Sequence, residues 1–435
     1  MFAVLDNNCA GRPHASGCRL APLAAAVALC FAGSVSAATI TVNDSTASSV
    51  AGKCTIVDAV ISVNTSAVAP SSACVAGNGS GDTILIPAAV GAITFTAASP
   101  SSPDSALVLN KPVTISGDVD SSDKPLGLIN RSGSAAANFR LIDTTANLTL
   151  RGIALSNGYS TTNGGAIHVA GPTGTHPTLT LTNSIVSSSH ADSAGGGISN
   201  RGAIVLNGAT IVGNTSGGKG GGVYIANYSD SVTARDSTIS GNTASIGNGG
   251  GILAFSASLT NTTISGNTAT TGSGGGVFAQ NVALDFSTVS DNAASVSAAA
   301  GVAIGTAVTT PTVTATATLI YGNNGGSDLD SGNTQTLVGD HNLVGIYGHN
   351  ITLPADTLTG CDPMLGTLAD NGGPTQTLAL PGGSCAIDAG PTFPPGTIPS
   401  DQRGNAYARR VDAATDIGAY ETQKNDRIFY DGVGL

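Results

Sequence analysis

The stretch that decides the fold reads GGGILAFSASLTNTTISGNTATTGSGGGVFAQNVALDFSTVSDN, from residue 249 to residue 292. Two marks alternate in it. A glycine mark ends in an apolar residue, at Ile252 and Val277, and an asparagine mark of the type TISGN ends at Asn267 and Asn292. Both marks advance by 25 residues, so the stretch contains a repeated structural unit of that length.

The same marks extend over the middle of the chain. Each unit contains short β-like runs. Such a run cannot bury its apolar face alone, but it can stack on the same run of the next unit as a parallel sheet. The pattern therefore predicts an all-β fold, a right-handed single-stranded parallel β-helix of about six or more coils, with an N-terminal cap and a small C-terminal domain. The glycine marks end, at spacings of 31, 25, 29, 25 and 25 residues, at Ile167, Ile198, Val223, Ile252, Val277 and Val302.

The composition agrees with strands and turns. Of the 27 acidic residues all but Glu421 are Asp, and 59 residues are Gly, which disfavours the long helices of a helical solenoid. A β-propeller usually needs about 40 residues for each blade. Spaced Val, Ile and Thr argue against disorder. With only 16 Lys and Arg in all, nucleic acid is excluded as a partner, because phosphate binding requires clustered basic residues.

Residues at equal offsets become neighbours in a stacked solenoid. We therefore predict that Asn242, Asn267 and Asn292 form a structural ladder, in which side-chain amides bond from coil to coil. Ile239, Ile264 and Val289 are predicted to form a packing column inside the coils.

The N-terminus has the pattern of a secretory signal peptide. Arg12 and Arg19 precede an apolar run from Leu20 to Ala32, and small residues follow it. The apolar run is too short to span a membrane. We predict a signal peptide at residues 1–37, a secreted or cell-surface location and no transmembrane span after its removal.

The cysteines that remain after residue 37 form two local pairs, Cys54 with Cys74 and Cys361 with Cys385. An even number in an exported chain predicts two disulfides, one at each end of the repeats. Four buried thiols are the alternative. The chain has no C-x-x-C spacing, which argues against a zinc site.

Three parts of the sequence resemble segments of bacterial surface proteins. The alternating marks over residues 151–322 resemble the polymorphic outer-membrane protein repeat. CTIVDAV from Cys54, then Cys74, then GDTILIP from Gly81 resemble the CSLREA domain, although Val57 and Asp58 stand where that family has Arg-Glu. DPMLGTLADNGGPTQTLAL, SCAIDAG, DQRG and DIGAYE, from residue 362 to residue 421, resemble the choice-of-anchor Q domain. The resemblance implies a surface or secreted protein whose anchoring signal follows that domain.

These segments suggest a division of the chain. The 14 residues after Glu421 contain no apolar span and no sortase-type motif, so we expect free secretion or sorting by an unfamiliar tail signal. The predicted parts are a signal peptide at 1–37, an N-terminal cap with the first coils at 38–150, parallel β-helix repeats at 151–325, the choice-of-anchor Q-like domain at 326–421 and a tail at 422–435.

The coils contain few residues of the kind that catalysis needs, and we predict no catalytic residue. A hydrolase of this architecture would pair close carboxylates near a His, and a lyase would group Asp residues beside an Arg or Lys. His168, His176 and His190 are interpreted as exposed or turn residues. The carboxylates of the coils, no two of which lie one coil apart, are Asp192, Asp230, Asp236, Asp285 and Asp291.

Two polar segments lie beyond the coils. Asp328, Asp330 and Asp340 are weak calcium candidates, with a solvated turn as the alternative. Otherwise no cofactor is predicted. In the DQRG stretch, Arg403 is interpreted as a structural partner of the carboxylates of its own domain, which are Asp388, Asp416 and Glu421.

Two functions remain open. The first is an exported, non-enzymatic β-helix that contacts a polysaccharide or a host or matrix surface in adhesion. The alternative is an extracellular polysaccharide lyase or glycoside hydrolase of the pectin-lyase-like type. Sugar binding usually depends on exposed aromatic rings, and the candidates in the repeats are Tyr224, Tyr228, Phe255, Phe278 and Phe286.

Overall fold

The structure is a computed structural model, and it describes residues 36–424 apart from 173, 228, 296, 307–310, 393–397 and 405. The described residues form a right-handed parallel β-helix of about nine turns, as the repeat predicts. Most of the predicted signal peptide and of the predicted tail, as well as Tyr228, lies outside the described residues. Within the described part of the chain, no helix is both long enough and apolar enough to span a membrane.

Four parallel sheets run along the β-helix. The six central coils pass through sheets 1, 2, 3 and 4 in that order, and the coils at the two ends have no strand in sheet 3. Sheet 1 contains Thr39–Thr41, Asp82–Ile86, Val113–Gly117, Leu148–Arg151, Leu179–Thr182, Ile204–Asn207, Ser231–Arg235, Ser256–Thr260, Asn281–Asp285 and Thr312–Thr316. Sheet 2 contains Ile93–Phe95, Gly127–Arg131, Ile153–Ser156, Ile185–Ser187, Thr210–Val212, Thr238–Ser240, Thr263–Ser265, Thr288–Ser290, Leu319–Tyr321 and Leu343–Val344.

The other two main sheets contain fewer strands. Sheet 3 contains Tyr159–Ser160, His190–Ala191, Thr215–Ser216, Thr243–Ala244, Thr268–Ala269 and Ala293–Ala294. Sheet 4 contains Ser105–Leu109, Arg140–Thr144, Ile167–Val169, Ile198–Asn200, Val223–Ile225, Ile252–Leu253, Val277–Ala279, Ala299–Ile304 and Ser327–Ser331. Gln335–Thr336 pairs with Ile351–Thr352, and Leu368–Ala369 pairs with Thr377–Leu378.

The core lies inside the coils because alternate strand residues point inward. Ile239, Ile264 and Val289 occupy matching positions on successive coils of sheet 2, and all three are fully buried. Val223, Ile252 and Val277, which end the glycine marks, stack in the same way in sheet 4. The apolar residue of each mark therefore forms one layer of the core. We call the position of one coil within a stacked column a rung.

The glycines of the marks allow successive coils to touch through their backbones. A Cβ atom at Gly250 would lie 2.4 Å from the carbonyl oxygen of Gly275 on the next coil, and one at Gly221 would lie 2.4 Å from that of Gly250. No larger residue fits at these positions without moving the neighbouring coil.

A helix, α1, covers the N-terminal end of the core over Ile56–Thr65. Thr55 is its N-cap, and Asp58 completes a capping box with it. Ala59 and Val63 on one side of the helix are fully buried. The predicted disulfide between Cys54 and Cys74 is present beside the helix.

The C-terminal segment, residues 362–424, lies along the outside of sheet 2. The second predicted disulfide, Cys361 to Cys385, is formed at its start. Strand pairing within the coils continues past the predicted boundary at 325, as far as Leu343–Val344.

Threonines of the asparagine marks hold this segment in place. Thr238 donates a 2.5 Å hydrogen bond to the carbonyl of Gln376, and Thr263 donates at 2.6 Å to the side chain of Gln402. Thr288 accepts from the backbone N–H of Ala419 at 2.9 Å. The repeated Thr thus docks the C-terminal segment.

Candidate functional site

The asparagine marks form a buried column at the turn that follows sheet 2. The side-chain amide of Asn242 donates to Oδ1 of Asn267 at 2.9 Å, and that of Asn267 donates to Oδ1 of Asn292 at 2.9 Å. Asn214 and Asn323 extend the column at its two ends. Asn242, Asn267 and Asn292 are fully buried, so they stabilise the turns and have no surface to offer a ligand.

The calcium candidates have other partners. Oδ1 of Asp328 accepts both N–H groups of Asn323 at 2.7 Å, and Oδ2 accepts the backbone N–H of Ile346 at 2.7 Å. Asp328 therefore closes the asparagine column. Asp330 accepts from the backbone of Ser331, and Asp340 lies 3.4 Å from His341. Among the described residues, no group of three or more His, Cys, Asp or Glu side chains is arranged to hold a metal ion.

The charged residues of the DQRG stretch are buried between the C-terminal segment and the coils. Arg403 bonds Asp401 at 2.7 Å, and its guanidinium lies between the rings of Tyr407 and Tyr420, 3.9 and 3.8 Å from their centroids. The Arg403 side chain is 1 % exposed. The sequence predicts that Arg403 pairs with the carboxylates of its own domain, Asp388, Asp416 and Glu421. In the structure its guanidinium donates to the backbone carbonyl of Glu421 at 2.6 Å.

The carboxylates of Asp416 and Glu421 form a second part of this network. Oδ1 of Asp416 accepts the backbone N–H of Asp388 at 2.8 Å, and Oε2 of Glu421 accepts the backbone N–H of Asp416 at 2.9 Å. Burial away from water, together with the neighbouring Asp416 carboxylate, raises the pKa of Glu421 to about 9. A buried network of this kind holds a segment in place and offers no access to a substrate.

The outer face of sheet 4 is different because most of its side chains reach solvent, although Ser199 and Ala303 are buried. The residue after each glycine mark points outward here, since its predecessor points into the core. The column along this face, in the order of the coils, is Asp143, His168, Ser199, Tyr224, Leu253, Phe278, Ala303 and Asp330. Its composition changes from polar to aromatic and apolar along the β-helix.

A groove of about 320 Å³ lies in the aromatic half of this face. Tyr224, Leu253 and Phe278 occupy three successive rungs, each half-buried. The polar residues around the groove are Lys219, Asn227, Asn248 and Gln280. We call this feature the aromatic groove. The ammonium of Lys219 lies 5.3 Å from the centroid of the Tyr224 ring, within reach of a cation–π interaction.

The groove continues along the β-helix axis. A second depression of about 260 Å³ shares Phe278 with it and extends past Ala303 to Asp330. Neighbouring strands are about 4.8 Å apart, so Tyr224 and Phe278, two rungs apart, are separated by about 10 Å. A long, shallow, half-apolar surface of this kind fits an extended chain better than a compact small molecule.

The polar half of the face contains one His–Asp pair. Nδ1 of His168 lies 3.1 Å from Oδ1 of Asp143, and Arg140 lies 3.4 Å from the other oxygen of the same carboxylate. Arg140 also donates to the hydroxyls of Ser160 and Thr162 at 2.8 and 2.9 Å. The imidazole is thus oriented by a carboxylate that is itself fixed by a buried arginine.

The two other histidines of the first coils also contact one carboxylate each. His176 lies 2.8 Å from Asp230, and His190 lies 3.0 Å from Asp192. The coil carboxylates do not stack on each other: Asp285, for example, lies in register between Thr260 and Thr316. A pair of carboxylates flanking one bond, as glycoside hydrolysis requires, is not formed by any of these groups in the described coils.

No family model and no curated protein matches the chain. The chain is similar in structure to pectate lyase Pel9A, known from a crystal structure. The TM-score is 0.41 at 12 % sequence identity, over 89 % of this chain and 97 % of that one.

Sequence reasoning named the aromatic residues but did not bring them together. Tyr224 and Phe278 line the aromatic groove together with Phe255, whereas Phe286 is fully buried. The signal was present in the sequence for two of them, since Tyr224 and Phe278 each directly follow the residue that ends a glycine mark. The Asp143–His168 pair was missed because Asp143 precedes the first clear mark.

Proposed function

We propose that this protein is an exported, non-enzymatic β-helix that contacts an extracellular polysaccharide along the outer face of sheet 4. The observation that carries the proposal is the aromatic groove. Tyr224 and Phe278 present rings two rungs apart, and the apolar side chain of Leu253 lies between them. Aromatic rings bind the apolar faces of sugar rings, while nearby amides bond their hydroxyls.

Export is supported by two features. The first 37 residues have the order of a signal peptide, and both cysteine pairs form disulfides, which persist in oxidising compartments. The resemblance of residues 362–421 to the choice-of-anchor Q domain also favours a secreted or surface protein. Adhesion to a matrix is then the simplest use of a long binding face.

Binding without cleavage is favoured by the chemistry beside the groove. In the outward column, the Asp143–His168 pair lies two rungs before Tyr224 and Asp330 lies two rungs after Phe278, so the carboxylates stand at opposite ends of the groove. A hydrolase needs an acid and a base on the two sides of one bond. The Asp143–His168 pair therefore orients the imidazole of His168 near the groove but does not by itself form an acid–base site of this kind.

Affinity electrophoresis tests the proposal. Native gels that contain neutral or uronic-acid polysaccharides are compared with gels that contain none. We expect at least one polymer to retard the wild-type protein, and the double variant Tyr224→Ala/Phe278→Ala to migrate as in the empty gel. Tyr347→Ala is the control, because Tyr347 is 43 % exposed and lies beyond the end of the groove, beside the strand that contains Asp330. Equal retardation of all three proteins would place binding elsewhere.

A polysaccharide-cleaving enzyme is the second candidate, and the Asp143–His168 pair is the observation that favours it. A screen for reducing ends and unsaturated products separates the two functions. Turnover that disappears in His168→Ala and persists in His176→Ala would establish the enzyme. Absence of turnover in the polymers that the protein binds supports the binding function.

A further inference from the structure

A cavity separate from the aromatic groove lies on another side of the coils, where sheet 1 is connected to sheet 2. Six successive coils make this turn through one residue with positive φ, and these residues stack because the flanking strands stack. From one coil to the next they are Asn183, Gly208, Asp236, Asn261, Phe286 and Ala317, with φ between 46° and 57°. We call this the turn column.

The C-terminal segment covers one half of the turn column. Gly418 donates its N–H to the carbonyl of Ala317 at 2.8 Å, and the side chain of Asn261 donates to the carbonyl of Ser400 at 2.9 Å. Thr375 donates to the backbone carbonyl of Asp236 at 3.1 Å. The cover ends there, so the column is open beyond Asp236.

Gly208 lies in the floor of this opening, in contact with the Asn183 side chain. A Cβ atom at this position would lie 2.5 Å from Oδ1 of Asn183 and 3.7 Å from the ring of Pro374. The neighbours of Gly208 in the column, Asn183 and Asp236, carry polar side chains at a similar backbone conformation. The absence of a side chain at Gly208 therefore lets the Asn183 amide lie over the turn, between Gly208 and the edge of the C-terminal segment.

The resulting cavity measures about 550 Å³. The residues that define its chemistry are Asn183, Asn207, Asp123, Asp236 and Tyr407. Its outer wall, the loop at 121–123, is tied to the C-terminal segment by the ion pair between Lys124 and Asp370, 2.5 Å apart. The site is thus built from three separate parts of the chain.

The polar groups of the cavity are available to a ligand. Within the described part of the protein, the side chains of Asn183, Asn207 and Asp123 make no hydrogen bond. Asp236 accepts one bond from Asn261 at 2.9 Å and lies 3.5 Å from Arg235, and burial raises its pKa. The two amides can donate to and accept from neighbouring hydroxyl groups, and the two carboxylates can accept from them.

The charge of the cavity selects among ligands. Arg403 is paired with Asp401, and Arg235 lies 3.5 Å from Asp236, so the remaining charge of the cavity is the carboxylate of Asp123, which disfavours an anion. We propose that this cavity binds one neutral sugar unit, with vicinal hydroxyls bonded by Asn183, Asn207 and Asp236 and with the ring near Tyr407. The site is separate from the aromatic groove, and its occupation does not depend on the function proposed for that groove.

Saturation-transfer NMR with the methyl glycosides of glucose, galactose and mannose tests the proposal. The decisive variant is Gly208→Asn, which displaces the Asn183 amide from its place and puts a side chain in the cavity, with a residue that Asn183 and Asn261 show to be compatible with this turn. Gly213→Asn is its matched control: Gly213 also has positive φ, 64°, and a Cβ there would meet nothing within 4 Å. Asn207→Ala removes one amide at an exposed strand position.

We expect at least one glycoside to bind the wild-type protein. Gly208→Asn should weaken its binding at least tenfold, whereas Gly213→Asn should leave it within about twofold. Asn207→Ala, which leaves the turn intact, should weaken it about threefold or more, which separates loss of the site from loss of the fold. The proposal is overturned if no glycoside binds, if Gly208→Asn binds as well as Gly213→Asn, or if only calcium ions, added alone, bind the cavity. Each of these results leaves the electrophoresis of Tyr224→Ala/Phe278→Ala unaffected.

Discussion

Arg409 donates a hydrogen bond of 2.6 Å from its guanidinium to Oδ1 of Asn261, across 148 positions of sequence. The same guanidinium donates to the backbone carbonyl of Gly418 at 2.9 Å and lies 4.7 Å from the centroid of the Phe286 ring. Arg409 is fully buried. The C-terminal segment and the turn column are therefore joined by a charged side chain that has no access to water.

Arg409→Met should detach the C-terminal segment locally and destabilise the protein. The substitution leaves buried acceptors at Asn261 and Gly418 without their donor, which costs about 3 kcal/mol. Urea unfolding measures the change in the free energy of unfolding. Arg410→Met is the control, since Arg410 is exposed, and it should change that free energy by less than about 0.5 kcal/mol. Equal effects of the two substitutions would contradict the role given to Arg409.

Asn267→Ala should destabilise the middle of the coils. It removes the oxygen that accepts both the backbone and the side-chain N–H of Asn242, leaving two buried donors unpaired at a cost of about 2–4 kcal/mol. Thermal unfolding measures the loss, with Asn333→Ala as the control at an exposed position. If both variants unfold at the wild-type temperature, the ladder contributes nothing to stability.

Stability should fall as the pH rises from about 4.5 towards about 9. Glu421 has a pKa of about 9 in the folded protein against an ordinary value of 4.5, so in this range the folded state keeps a proton that the unfolded state has lost. Burial also raises the pKa of Asp416, with the same sign. Urea unfolding at pH 5 and pH 8 should give the lower free energy of unfolding at pH 8.

Glu421→Gln should make this pH dependence smaller, because the glutamine does not titrate. Asp340→Asn is the control, as the side chain of Asp340 is 56 % exposed, and it should retain the wild-type slope. A Glu421→Gln variant with the full wild-type difference between pH 5 and pH 8 would show that Glu421 is not the responsible group.

Removing the first disulfide by Cys54→Ala/Cys74→Ala should loosen the N-terminal end selectively. The bridge closes a loop over 20 positions, which corresponds to about 3 kcal/mol in the chain-entropy description. Hydrogen exchange should then speed up in α1 and remain slow in the coils around Asn267. Cys361→Ala/Cys385→Ala should show the opposite pattern, with fast exchange confined to the C-terminal segment. Unchanged protection of α1 in the first variant would refute this account.

The sequence predicted the β-helix because its core is periodic. Ile239, Ile264 and Val289 recur at a fixed spacing and stack in register, so the period alone gives their positions. The docking of the C-terminal segment has no period: Thr263 and Gln402 meet across 139 positions, and nothing local in either segment indicates the other. The function was harder to predict than the fold, because successive residues of the outward column of sheet 4 differ in type and show no repeat.

The most direct test of binding without cleavage is the molar mass of a retained polysaccharide. A polymer that retards the protein in gels is incubated with it for a long period and then analysed by size-exclusion chromatography with light scattering. The account predicts that the polymer elutes in complex with wild-type protein, that it is free in the presence of Tyr224→Ala/Phe278→Ala, and that its molar mass is unchanged in both. A fall in molar mass with wild-type protein would contradict the central claim and establish an enzyme.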